Sequence, residues 1–174
     1  MASPIEIDVW QGEIAELEVD ALVIGANESL FMTAGAAASV KRHGGASVER
    51  DAVDQGPIQP GTVVVTSGGT LVTPYVIHAV AVGHDRVPDP ERLATAVRAA
   101  VALAEPLRLR RMAFAPLGTE HGAFSPADAA DVVVRTLIAA AAGTPLESIV
   151  IATLHVDETR AVADAIARHR AAVS

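Results

Sequence analysis

The chain has 174 residues, 51% of them hydrophobic but only 3% aromatic, and 13 basic against 21 acidic residues give a net charge of −8. That length suits one domain over residues 1–174, with a core built from Ala, Val, Ile and Leu rather than from rings. The absence of cysteine excludes disulfides, thiolate catalysis and cysteine zinc sites, and the acidic balance argues against a nucleic-acid partner held by bulk charge. Lys41 is the one lysine, so Schiff-base chemistry has a single candidate. The first ten residues carry no basic segment and no long apolar run, and so do not read as a signal peptide. The longest stretch without Asp, Glu, Lys or Arg, residues 55–84, is broken by prolines and glycines and cannot form one membrane-spanning helix. A cytoplasmic protein with no membrane partner is the expectation.

In chain order, residues 5–10 alternate apolar and polar side chains and predict a strand with one wet face. Residues 21–26, continuously apolar and short, predict a strand buried on both faces. Residues 35–44 and 46–54 read as helices divided by Gly44-Gly45. The runs 62–67 and 75–82 predict antiparallel strands around a turn at Gly68-Gly69. Asp89 as N-cap and Pro90 as first residue open a helix expected to reach Glu105. Residues 112–117 are a further short strand. Ser125, Pro126 and Asp128 then make a capping-box-like start to a helix over 126–142. The last strand spans 148–154, and Asp157 is expected to cap a terminal amphipathic helix. Strands alternating with helices predict an α/β fold of three layers, α/β/α, around a mixed sheet of about six strands.

Ligands in such folds bind at the carboxyl ends of the strands. Two loops there are rich in small residues and run into helices: 26–39 (ANESLFMTAGAAAS) and 116–125 (PLGTEHGAFS). Small residues let backbone N–H groups approach a ligand, and a helix N-terminus adds partial positive charge, so each loop is a candidate anion cradle. By composition alone they serve equally as ordinary tight βα connections.

These segments, in their order and spacing, resemble the macrodomains, a family that binds ADP-ribose. QGEI at 11–14 resembles the family's G-D-I element, and VDALVIGAN at 19–27 its V-D-A-I-V-N-A-A-N element. LFMTAGAAASVKRHGG at 30–45 looks like its glycine-rich first loop, and FAPLGTEHGAFSPADAA at 114–130 is similar to its phosphate-wrapping second loop. The resemblance implies that Glu13 accepts a hydrogen bond from the adenine amino group, with Ile14 beside the ring. It implies that Asn27 contacts the distal ribose, and that Thr33, Ala34, Gly35 and Ala36 lie by that ribose and the diphosphate. Gly118, Thr119, Glu120, His121, Gly122, Ala123 and Phe124 would wrap the diphosphate, with Phe124 near the ribose or the loop base. By residue type alone, Glu13 equally fits an exposed loop carboxylate, Asn27 an Asx turn and Phe124 core packing.

The chain departs from the family pattern at several points. The first Asn of N-A-A-N is replaced by Ile24 or Gly25, according to registration. The aspartate of hydrolytic members falls at Ala37, whose methyl group cannot activate water, so the chain looks closer to a branch without that acid. Glu120 stands where glycine is usual; pointing at a diphosphate it repels, pointing outward it is nearly neutral. Neither loop carries Lys or Arg, which leaves backbone N–H groups and helix dipoles to hold a diphosphate. His121 is the one side chain of the second loop able to carry positive charge. No histidine spacing matches a metal motif, no cofactor motif is present and G-x-S-x-G does not occur. G-x-G-x-x-G is also missing after the first strand, which argues against a dinucleotide-dependent dehydrogenase. Three functions remain: a binding module for free or protein-linked ADP-ribose, a hydrolase of O-acetyl-ADP-ribose or ADP-ribosylated substrates without the usual aspartate, and a degenerate macrodomain with another nucleotide or a scaffolding role. No catalytic residue and no oligomeric state can be assigned from sequence.

Overall fold

Ala21, Leu22, Val23 and Ile24 are wholly shut off from solvent, which places their strand at the middle of the sheet. A computed structural model describes residues 4–173 and shows a six-stranded sheet among them. The strands are β1 (Glu6–Gln11), β2 (Ala21–Gly25), β3 (Val63–Ser67), β4 (Tyr75–Ala79), β5 (Arg111–Phe114) and β6 (Ser148–Thr153). Their spatial order is β1-β6-β5-β2-β4-β3, all neighbours parallel except the β3–β4 pair. The sheet is therefore mixed, as the sequence predicts.

Strand alternation sorts the apolar residues onto two faces. Ala21, Val23, Ile77, Met112, Phe114, Ile149 and Ile151 form one core with helices α3 (Pro90–Ala102), α5 (Pro126–Ala141) and α6 (Val156–Val173). Leu22, Ile24, Val76, Ala113 and Ala152 turn to the other face, under a 3₁₀ turn at Ile14–Glu16, α1 (Gly35–Gly44) and α2 (Ala46–Val53). The two faces differ in bulk. Near their carboxyl ends β5 and β6 offer only Ala113, Ala115 and Ala152 to the second face, and that is where space remains for a cleft.

Several predicted boundaries move, each for a local reason. The helix from Pro90 ends at Ala102, and a separate turn, α4 (Ala104–Leu107), comes after it. Pro106 has no N–H for the Ala102 carbonyl, and Arg108 closes the turn with a left-handed φ of 55°. β4 ends at Ala79 rather than at 82; beyond it Val80 N–H still bonds to Thr62, and Val80 accepts from Gly61, whose φ is 90°. Asp157 is not the cap of the last helix. That helix starts at Val156, with Thr159 N–H bonding to His155, so Asp157 lies in its first turn. Asp89 and Ser125 do cap their helices, accepting from Glu91 and Arg92 and from Asp128 respectively. No helix among the described residues is long and apolar enough to cross a membrane.

Candidate functional site

The two small-residue loops leave the carboxyl ends of β2 and β5 and close over the sheet's second face. Between them lies a cleft of about 350 Å³. The first loop runs from Gly25 to Ala34. Asn27 Nδ2 donates to the Phe31 carbonyl at 3.0 Å, and Leu30 N–H bonds to the Asn27 carbonyl at 3.0 Å. Leu30 takes a left-handed φ of 67°, rare for a bulky residue, and its complete burial against Ala52, Val64 and Val80 holds it there. Glu49 on α2 fastens the far end, accepting Met32 N–H at 2.7 Å and pairing with Lys41 at 2.8 Å. The Lys41 ammonium and the Met32 amide hold the Glu49 carboxyl below the usual range. Glu28 accepts His84 N–H and draws the 83–84 segment to the cleft wall.

The first loop feeds α1 without a capping side chain: Ala34 at the N-cap offers none. The first amides of a helix have no intrahelical partner, and here the residues that carry them, Gly35, Ala36 and Ala37, line the cleft. The second loop differs. Ser125 caps α5, and neither Ser125 nor Pro126 lines the cleft. Only one of the two helix N-termini expected at the site thus faces it.

Within the second loop the chain doubles back on itself. Phe124 N–H bonds to the Gly118 carbonyl at 3.0 Å, and His121 sits at a left-handed φ of 55°. Gly118 is required twice over: its φ is 97°, and a Cβ would come within 2.8 Å of Leu93 Cδ2. Glu120 folds inward rather than outward. Its Oε2 accepts Gly118 N–H at 2.7 Å, and its Oε1 is buried without a hydrogen-bond partner among the described residues. Gly25, the last residue of β2, makes room for that carboxyl, since a Cβ there would lie 2.1 Å from Oε1. Burial pushes the Glu120 acid up, against the lowering effect of its own and the Gly118 amides.

The other end of the cleft is built from Gly12, Glu13, Ile14, Ala152, Leu154, His155 and Glu158. Ser39 Oγ donates to Glu13 Oε2 at 2.5 Å, fixing that carboxylate from α1. Burial raises the Glu158 acid, opposed by His155.

The Macro domain family profile matches residues 23–133. The chain belongs to that family. A Macro domain-containing protein of Cupriavidus necator is 37% identical over 148 residues, 80% of this macrodomain and 84% of that protein. An uncharacterized protein of Mycobacterium bovis is 34% identical over 132 residues, 76% of this macrodomain but 37% of the relative, so the chain spans little more than a third of that protein's length. In three dimensions the Trypanosoma brucei macrodomain in complex with ADP-ribose superposes with a TM-score of 0.85 at 23% identity, covering 92% of this chain and 69% of that one. The Oceanobacillus iheyensis macrodomain with ADP gives a TM-score of 0.86 at 19% identity, over 94% and 91% of the two chains. These two likenesses concern the fold.

Of the site residues expected from the sequence, Glu13, Ile14, Asn27, Thr33, Ala34, Gly35, Ala36, Thr119, Glu120 and His121 line the cleft of this macrodomain. Gly118, Gly122, Ala123 and Phe124 do not. Gly118 is turned into the core, and Phe124 packs at the loop base against the α3/α5 side. The site also includes residues to which the sequence assigns no ligand role: Gly25, Phe31, Ser39, residues 82–84, Ala152, Leu154, His155 and Glu158. Most carry no chemical signal; small or apolar residues become site residues only through the strand order. Among the described residues that line the cleft there is no Lys or Arg, and no group of three or more His, Asp or Glu is placed to hold a metal ion. Such a surface offers amides and a helix end to an anion, and its one source of positive side-chain charge is the histidines His84, His121 and His155.

Proposed function

We propose that this chain is a single-domain module that binds ADP-ribose, free or attached to another molecule. The observation that carries the proposal is the cleft at the carboxyl ends of β2 and β5, where the uncapped α1 N-terminus meets the second loop. Glu13, held by Ser39, receives the adenine amino group beside Ile14. The amides at 35–37 hold the diphosphate, and Asn27 addresses the distal ribose with its buried, unpaired Oδ1. Structures of the Trypanosoma brucei macrodomain with ADP-ribose and with ADP support this reading at the level of the fold. Ala37, on the cleft wall, offers a methyl group where a catalytic acid would be needed, which favours a reader over a hydrolase.

Calorimetric titration with ADP-ribose should give a Kd tighter than about 1 mM, or roughly −4 kcal/mol. No heat and no thermal shift at millimolar ligand would sink the proposal. Asn27→Ala should weaken binding by about tenfold while leaving the fold intact, the loss of one ligand hydrogen bond. Chromatography of O-acetyl-ADP-ribose and of an ADP-ribosylated protein after incubation separates reader from hydrolase. Product above the blank rejects the pure reader.

A further inference from the structure

Glu120 is the carboxyl of the cleft that its surroundings support least. Its Oε2 accepts the Gly118 amide at 2.7 Å, while Oε1 is buried without a hydrogen-bond partner among the described residues. Oε1 lies against Gly25, where an added Cβ would come within 2.1 Å. An oxygen so enclosed has room for a proton but not for a hydrated metal ion. Folded proteins supply donors to nearly all buried oxygens, and a carboxylate short of donors is the form that burial penalises. Burial accordingly raises the Glu120 acid.

The other titratable groups that line the cleft are better placed. Ser39 Oγ donates to Glu13, and His155 lies near enough to Glu158 to oppose the effect of its burial. His84 has its Nδ1 3.4 Å from the Glu28 carboxyl, and His121 follows Glu120 on the same loop. Among the described residues no Lys or Arg lines the cleft, so it holds no permanent positive side-chain charge. A diphosphate at the α1 amides adds two negative charges to this setting. Like charges brought together favour the protonated form of whichever acid is least supported.

We propose that binding of the ADP-ribose diphosphate draws a proton onto the Glu120 carboxyl, so that the cleft takes up ligand and proton together. The proposal rests on the ADP-ribose reading above and adds a dependence on acid to it. Affinity should rise as pH falls, because the proton that accompanies the ligand is then more readily bound.

The test is calorimetric titration of the whole chain with ADP-ribose at about pH 5.5 and 7.5, each in two buffers of different ionisation enthalpy. ADP-ribose is the probe because its diphosphate is esterified at both ends, whereas the terminal phosphate of ADP itself titrates near about pH 6. For the wild type the heat should change with buffer in the sense of proton uptake, and Kd should be about threefold or more tighter at the lower pH. Glu120→Gln keeps the volume and the acceptor for Gly118 but cannot take a proton. It should lose most of the uptake, hold its Kd within about twofold between the two pH values, and bind more tightly than the wild type at the higher one. Glu120→Gly carries the same test if thermal unfolding shows that Glu120→Gln does not fold. A wild type with heats independent of buffer and a flat pH profile overturns the proposal. So does undiminished uptake in Glu120→Gln, which would place the proton on His84, His121, His155 or Glu158. A wild type that binds no ADP-ribose at either pH overturns the ADP-ribose reading and this proposal with it, whereas binding without proton uptake overturns the linkage alone.

Discussion

The two loops that frame the cleft are held in opposite ways. The first is fastened from outside: Glu49 of α2 takes the Met32 amide, Glu28 takes the His84 amide, and Leu30 is buried in a small core of its own. The second is fastened from within, by Phe124 to Gly118, Gly122 to Thr119 and Glu120 to Gly118. An outside clamp uses side chains from other elements and leaves the α1 N-terminus uncapped beside the cleft. An inside clamp consumes the loop's own amide and puts a carboxyl where an anion cradle was expected. The first loop therefore leaves free helix amides beside the cleft, and the second places a buried carboxyl there.

The inside clamp should break hardest at Gly118. Gly118→Ala combines a left-handed φ with a Cβ 2.8 Å from Leu93 Cδ2. The expected loss is about 2–4 kcal/mol of stability, measured as a fall in the denaturant midpoint. Gly122 has a φ of 69° but nothing within 4 Å of its added Cβ, so Gly122→Ala should lose only about 1 kcal/mol. Equal losses would mean that backbone conformation alone, not seating on Leu93, fastens the second loop.

Acid sharpens the comparison against a common background. His78, buried in β4 and 2.9 Å from Thr66 Oγ1, has its pKa lowered by burial to about 4. A histidine depressed on folding stabilises the protein above its ordinary 6.5, and that contribution is lost as pH falls toward 4. Wild-type unfolding free energy should drop by about 3 kcal/mol over that window. The outside clamp comes next in size. Glu49→Gln removes a charged acceptor from the Met32 amide and from Lys41, and should cost about 1–2 kcal/mol at pH 7, most of it from the amide because the Lys41 side chain is 37% exposed and its ion pair is screened by solvent. The Glu49 acid is held below 4.5, so its contribution is present above that value and lost as pH falls through the folded one. The gap between wild type and variant should therefore begin to close below pH 4.5.

Much of the fold was legible because its signals are local. The continuous apolar run at 21–26 needs cover on both faces, which a central strand has, and the alternation at 5–10 needs one wet face, which the edge strand β1 has. The caps at Asp89 and Ser125 lie within a few residues of the amides they accept. What stayed hidden is contact between distant segments. Nothing in the sequence near Glu120 records that Gly25 leaves a space for its carboxyl, so its inward turn could not be read. The hold of Ser39 on Glu13 likewise depends on α1 crossing the 3₁₀ turn. Asp157 misled because it is a good cap by type, but the His155 carbonyl opens the helix earlier.

The smallest effect separates the two loops by sign. Burial raises the Glu120 acid above 4.5, so its neutral form favours folding. That contribution is present below pH 4.5 and is lost as pH rises through the folded value, the reverse of Glu49. Glu120→Gln keeps the acceptor for Gly118 but cannot ionise. It should be more stable than the wild type at pH 7, with a gain that fades as pH falls toward 4.5. Chemical denaturation across pH 4–7 reads both variants, and His78 cancels from each difference because every protein carries it. Difference curves of the same sign would break the comparison, since they would mean that the second loop stabilises its carboxylate as the first does. Curves of opposite sign would place the destabilising charge on the buried Glu120 carboxyl of the second loop.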